Sequence, residues 1–167
     1  QGCCHMADGY ARATGKPAVV LVTSGPGAGN TITGIMTAQM DSVPMIILCG
    51  QQVTWMLGKD AFQEADIFGI TMPVVKHNYL VKETNDIPRI AREAYHIATT
   101  GRPGPVHIDL PMDVQAQSVD VELMGENNFK IDSRVVPGKG RLQVVAKALV
   151  EAKRPVILAG GGALMSG

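Results

Sequence analysis

One pattern constrains this chain more than any other: a short apolar run closed by Gly or Pro, followed by residues with helical spacing, repeated along the sequence. Met6, Ala7, Tyr10 and Ala11 share one helical face, and Gly15 stands where a left-handed C-terminal cap belongs. Pro17 then introduces AVVLVT, a continuous apolar run suited to a parallel strand buried on both sides. After the loop TSGPGAGN, Ile32, Ile35, Met36 and Met40 predict the inward stripe of a second helix, stopped by Pro44 before the apolar strand MIILCG. The mixed stretch from Gln51 to Gly69 reads as a surface loop leading into a short helix from about Ala61 to Ile67. VVKHNYLV reads as a third strand. Thr84 and Asn85 cap a helix with Pro88 in its first turn, a stripe of Ile90, Ala94, Ile97 and Ala98, and Gly101 at its end. GRPGPVHIDLP returns as a strand.

Alternation at this spacing predicts an α/β fold, with right-handed crossovers and a parallel sheet covered by helices on both faces. Periodicity fades over 116–139, where polar residues gather as in an interdomain linker. From 140 a second α/β unit is expected to open, with a helix bearing Leu142, Val145, Ala146 and Leu149 and then a strand VILAGGG. The expected organisation is therefore a first domain over 1–115, a linker over 116–139, and the beginning of another domain over 140–167.

Composition narrows the function classes. Fifteen Lys plus Arg balance fifteen Asp plus Glu, and only 4% of the 167 residues are aromatic, so neither charge nor stacking surface favours nucleic acid. No apolar run approaches the roughly 20 residues that span a bilayer. Cys3, Cys4 and Cys49 are odd in number and lack C-x-x-C spacing, which predicts buried free thiols in a reducing, cytoplasmic setting rather than disulfides or a zinc framework.

Several motifs bear on chemistry. In TSGPGAGN small residues between a strand and a helix let a ligand approach backbone N–H groups, yet Asn30 stands where the dinucleotide fingerprint needs its third glycine and no Walker lysine is present. A tight turn accounts for the loop equally well. The glycines of AGGG at 159–162 suit either pyrophosphate or a sheet-edge turn. His107 and Asp109 alternate onto one strand face, but two ligands make a weak metal site and a structural role is favoured. Asp60, Glu64 and Asp66 read as solvated charges, and Cys3 and Cys4 as fillers of small core positions.

Taken in order, HMADGYARATG, LVTSGPGAGN, DSVPMIILCGQ, DAFQEADIFGITMPVVKHN and TTGRPGPVHIDLP strongly resemble the thiamine-diphosphate-dependent acetolactate synthases, closely over residues 1 to about 115 and loosely beyond. The resemblance implies a pyrimidine-binding N-terminal domain followed by the start of a central FAD-holding domain, with Mg²⁺ and the diphosphate bound elsewhere. It implies a carboligase: pyruvate adds to the cofactor, loses CO₂, and the two-carbon unit joins a second 2-oxo acid. It also implies a homodimer or homotetramer with an optional regulatory small subunit. The family pattern H-E-Q-G-A sets the catalytic glutamate directly before Gln1, so the 167 residues alone are expected to be inactive.

Residue by residue, Pro26, Gly27 and Asn30 match the loop bordering the pyrimidine, and Phe62 and Gln63 match residues lining the active site. Arg102 matches an FAD contact, and Gly160, Gly161 and Gly162 resemble the glycines beneath FAD. Gln52 and Val53 replace a usual Val-Pro and Met112 replaces a channel-lining lysine, which leaves substrate preference and inhibitor response open; Cys3 and Cys4 replace alanines. Glyoxylate carboligase, another 2-oxo-acid decarboxylase, and a noncatalytic α/β binding domain are the alternatives.

Overall fold

A computed structural model describes residues 1–120 and 136–165. The chain divides into two units, Gln1–Phe129 and Lys130–Gly167. The first contains a four-stranded sheet, β1 (Ala18–Val22), β2 (Met45–Gln51), β3 (His77–Leu80) and β4 (Pro105–Pro111), in the order β1-β2-β4-β3 with every pairing parallel. The α/β expectation holds. The last strand inserts between the second and third, pairing along its whole length with β2 from Met45 opposite Pro105 to Gln51 opposite Pro111.

Helices lie on both faces. On one, α1 (Gly2–Thr14) and α3 (Ile32–Met40) bury Cys4, Ala7, Ala11, Ile35 and Ala38 against Ala18, Val20, Met45 and Ile47. Their contact is close because Gly34 has no side chain: a Cβ there would lie 2.3 Å from the Cβ of Cys4. On the other face α5 (Ile87–Thr99) sets Ile90, Ala94 and Ala98 on Ile46, Val106 and Ile108. Burying such side chains contributes on the order of 25 cal/mol per Å² of apolar surface, so the two half-cores dominate the stability of this unit. The α5 layer packs on β4, β2 and β3. It leaves Val19 and Leu21 of β1 on the same face 62% and 74% exposed.

Helix ends follow the expected chemistry. Gly15 closes α1 at φ 69°, and Gly101 beyond α5 has φ 60°. Lys76 reaches across to donate its ammonium to the carbonyls of Ile97 and Thr100, neutralising the C-terminal end of α5.

Four expectations need correction. The buried face of α3 is Gly34, Ile35 and Ala38, whereas Met36 and Met40 point to solvent, because the near approach of α1 selects small residues over hydropathic ones. The loop TSGPGAGN is partly helical, with α2 spanning Pro26–Gly29. No helix covers 61–66; α4 runs Ile67–Thr71 and starts where the Asp66 carboxylate accepts the Gly69 N–H at 2.9 Å. In the second unit, VILAGGG forms no strand. Among its described residues only α7 (Lys139–Glu151) and α8 (Gly161–Met165) are regular, so Val156, Ile157 and Leu158 have no ladder neighbour and lie exposed.

A further helix of the first unit, α6 (Met112–Ala116), follows β4 directly. Most of the expected linker, 121–135, lies outside the described residues. Among the described residues no helix is long and apolar enough to cross a membrane.

Candidate functional site

Parallel strands deliver their following loops to one end of the sheet, the usual place for a ligand in an open α/β domain. Two such loops meet here. Beyond β1 the chain turns at Gly25 (φ 57°, ψ −117°), a conformation that side chains disfavour, and Pro26 then starts α2. Beyond β2 a long loop passes through a 3₁₀ turn at Thr54–Met56 and reaches Phe62 and Gln63 before α4. The loops touch at Gly25 and Gln63, where a Cβ on the glycine would fall 2.4 Å from the Gln63 carbonyl oxygen. Gly27 is equally confined, since its Cβ would lie 2.6 Å from the Thr23 methyl.

The second loop is tied down by side chains rather than by a ladder. Gln51 donates to the Ala65 carbonyl at 3.3 Å and its amide oxygen accepts the Gln52 N–H at 2.9 Å. Gln52 in turn donates to the Phe62 carbonyl at 2.5 Å. Glu64 accepts the Ala61 N–H at 2.8 Å and the Gly58 N–H, and these two amides hold its carboxyl below the usual range. Asp113 receives both the N–H and the hydroxyl of Thr54, at 2.9 and 2.6 Å, which pins the 3₁₀ turn to α6. The reading of Glu64 and Asp66 as merely solvated is therefore corrected: both accept backbone amides. The spacing Asp66 to Gly69 carried that signal; the anchoring roles of Gln51, Gln52 and Asp113 carried none, because each depends on how distant segments pack.

What this scaffold presents is an aromatic ring and an amide. Phe62 is 83% exposed, and Gln63 is also exposed with a backbone φ of 57°, an unfavourable conformation for a glutamine. Pro26 and Asn30 are exposed on the neighbouring loop, the Asn30 amide turned back to donate to the Pro26 carbonyl at 2.8 Å. A heterocycle could be held here by an apolar face, an amide that both donates and accepts, and a backbone that comes close where side chains are missing.

The other expected residues lie elsewhere. Arg102 precedes β4, at the opposite end of the strands, and donates to the Ser42 hydroxyl at 2.8 Å and to the Met40 and Gln39 carbonyls at 2.7 and 3.1 Å, closing the C-terminal end of α3. Gly160, Gly161 and Gly162 belong to the second unit, where a Cβ on any of them would meet nothing within 4 Å, leaving their backbone open to approach.

Behind the two loops the sheet carries a buried polar group. His107 and Asp109 lie on the face of β4 opposite Ile108, and Cys49 of β2 stands in register with Asp109. Burial lowers the imidazole to about 4, raises the carboxyl to about 6, and pushes the Cys49 thiol up.

Residues 1–70, which carry the glycine turn at Gly25 and the AFQE loop, match the family thiamine pyrophosphate enzyme, N-terminal TPP binding domain. More narrowly, the whole chain is similar to acetolactate synthase large subunits. It is 52% identical to the acetolactate synthase large subunit of Buchnera aphidicola subsp. Schizaphis graminum over 99% of this chain and 30% of that protein. It is 49% identical to the acetolactate synthase isozyme 3 large subunit of Escherichia coli K12, over 100% of this chain and 30% of the relative. The Lactococcus lactis large subunit gives 49% identity over 100% and 29%. The chain thus spans about 30% of the length of these relatives.

Proposed function

We propose that this chain is part of an acetolactate synthase large subunit that decarboxylates pyruvate and joins the two-carbon unit to a second 2-oxo acid, for branched-chain amino-acid synthesis. The observation that carries the reading is identity near one half along the full chain with proteins of that name, in a domain whose exposed Phe62 and Gln63 lie on a loop that touches the Gly25 turn through the Gln63 main chain. Thiamine diphosphate supplies the electron sink when bound. Residues of this chain bind and orient it: the 25–30 loop meets the pyrimidine end through its backbone, Phe62 offers an apolar wall, and Gln63 hydrogen-bonds near the reacting atoms.

The 167 residues by themselves are proposed to be inactive, because they span only about 30% of the length of the relatives they match. The wider reading includes Mg²⁺ on ligands outside this chain, FAD as a second cofactor, a homodimer or homotetramer, and a regulatory small subunit. Three free thiols support a cytoplasmic location.

The test is the protein at full length, assayed for acetolactate from pyruvate with and without thiamine diphosphate. Cofactor-dependent product that falls at least tenfold in Gln63→Ala is expected. Condensation of glyoxylate but not pyruvate would assign the glyoxylate carboligase alternative, and failure to bind the cofactor at all would leave a noncatalytic domain.

A further inference from the structure

We propose that Cys49, His107 and Asp109 form a three-ligand site for a divalent transition-metal ion of borderline softness, with Zn²⁺ as the expected occupant, at the root of the loop that carries Gly25. The sequence pair His107 and Asp109 lacks a third donor; the fold provides it. Parallel register puts Cys49 beside Asp109, and alternation puts His107 on the same face two residues earlier. Sulfur, nitrogen and carboxylate oxygen all lie within 4.8 Å of one another, and His107 Nε2 is 3.5 Å from Asp109 Oδ1. Bonds of about 2.0–2.3 Å to one shared ion would draw these three atoms inward from that span.

Burial is the second, independent observation. Cys49, His107 and Asp109 are 0%, 0% and 1% exposed. Both ring nitrogens of His107 and Oδ1 of Asp109 have no hydrogen-bond partner. A buried polar atom left unpaired costs about 1–3 kcal/mol, and here three converge on one small volume beside a thiol. That thiol lies against the Asp109 carboxyl and reaches the Gly50 carbonyl at 3.1 Å and the Thr23 carbonyl at 3.7 Å.

Charge and softness select the ion. Thiolate, neutral imidazole and carboxylate together carry two negative charges, which a divalent cation cancels, so the occupied site is formally neutral inside the sheet. Sulfur disfavours Mg²⁺ and Ca²⁺, which take oxygen ligands, while the mixed sulfur, nitrogen and oxygen set suits Zn²⁺. Binding expels the thiol proton, and that of the carboxyl where it is protonated, to solvent. Three protein ligands leave the fourth tetrahedral position to water or an anion.

The consequence lies in what Cys49 touches. It packs with Ala28 of α2 and Ile67 of α4, the two short helices that flank the Gly25 and Gln63 loops. Metal bound there braces both. The inference stands independently of the carboligase reading.

The experiment uses the full chain, treated with chelator, then titrated with Co²⁺ and back-titrated with Zn²⁺. Expected are one saturable equivalent, a sulfur-to-cobalt charge-transfer band with tetrahedral visible bands, and their loss on adding Zn²⁺. The band should vanish in Cys49→Ala, affinity should fall at least tenfold in His107→Val, and both should survive in Cys3→Ser/Cys4→Ala. Should a variant fail to fold, the parent chain still decides: one equivalent of Zn²⁺ raises its melting temperature. No thiolate band, a band that disappears with Cys3 and Cys4 instead, or an unchanged melting temperature overturns the proposal.

Discussion

Gly25 and Gln63 meet backbone to backbone: the glycine turns at φ 57° so that the Gln63 carbonyl can occupy the space a side chain would fill, and Gln63 itself adopts φ 57°. The missing Cβ of Gly25 makes room for the Gln63 main chain. The relative placement of the two loops is therefore fixed by main-chain geometry, and a change at either position shifts the pair.

Gly25→Ala is expected to destabilise the first unit by about 1–3 kcal/mol, through a left-handed alanine and a contact that only movement of Gln63 can relieve. Urea unfolding measures the loss. At full length, thiamine diphosphate affinity should fall in the same variant more than in Gly29→Ala, where a Cβ meets nothing within 4 Å. Equal effects at the two glycines would refute the contact.

Acid should release the second loop before it unfolds the sheet. The Ala61 and Gly58 amides hold Glu64 below the usual carboxyl range, so its contribution is complete above the ordinary glutamate pKa and is lost as pH falls through the lower folded value. Trp55, the single tryptophan, lies in this loop and reports on it. Its fluorescence should change at acid pH while far-ultraviolet circular dichroism stays native, and Glu64→Gln should show the altered fluorescence already at neutral pH.

Arg102 makes three hydrogen bonds to the end of α3 and to Ser42, so Arg102→Ala is expected to cost about 1–2 kcal/mol in chain free of any flavin. Lysine should restore less than half, since a single ammonium cannot reproduce the planar fork. If denaturation midpoints are unchanged, the arginine has no structural duty and only the proposed FAD contact is left to explain it.

The face of β1 left bare by α5 predicts hydrophobic dye binding. Val19 and Leu21 sit there, with Met6 and Tyr10 exposed on the adjacent helix. Leu21→Lys should lower dye fluorescence and self-association without changing the circular dichroism spectrum. A parent chain that is monomeric and binds no dye would contradict the expectation.

MIILC was legible because a parallel strand buried on both faces is continuous in hydropathy; AVVLV is equally continuous, yet in the structure only Ala18 and Val20 are buried while Val19 and Leu21 lie exposed on the other face. Faces of helices were less so: α3 turns Gly34 and Ala38 inward since Cys4 approaches to the distance of a missing methyl, and no hydropathy pattern contains that distance. The loop residues Pro26, Gly27, Phe62 and Gln63 follow from the resemblance, but the touch between their two loops, Gly25 against the Gln63 main chain, depends on strand order. Likewise His107 and Asp109 could be paired by alternation, whereas Cys49 joined them only through the register of β2 and β4. VILAGGG shows the converse, a strand-like sequence without a neighbour to pair with.

The pairing of β2 with β4 has a kinetic meaning. α1, β1, α3 and β2 are contiguous in sequence, as are β3, α5 and β4, so each half can assemble from nearby contacts. The join between halves must instead close a long intervening segment, the step that loop entropy makes slow. That join is expected to form late in folding and to open early under stress. Cys49, fully buried on it, becomes reactive to thiol reagents when it opens, so the rate at which this one cysteine is labelled times the parting of the two halves.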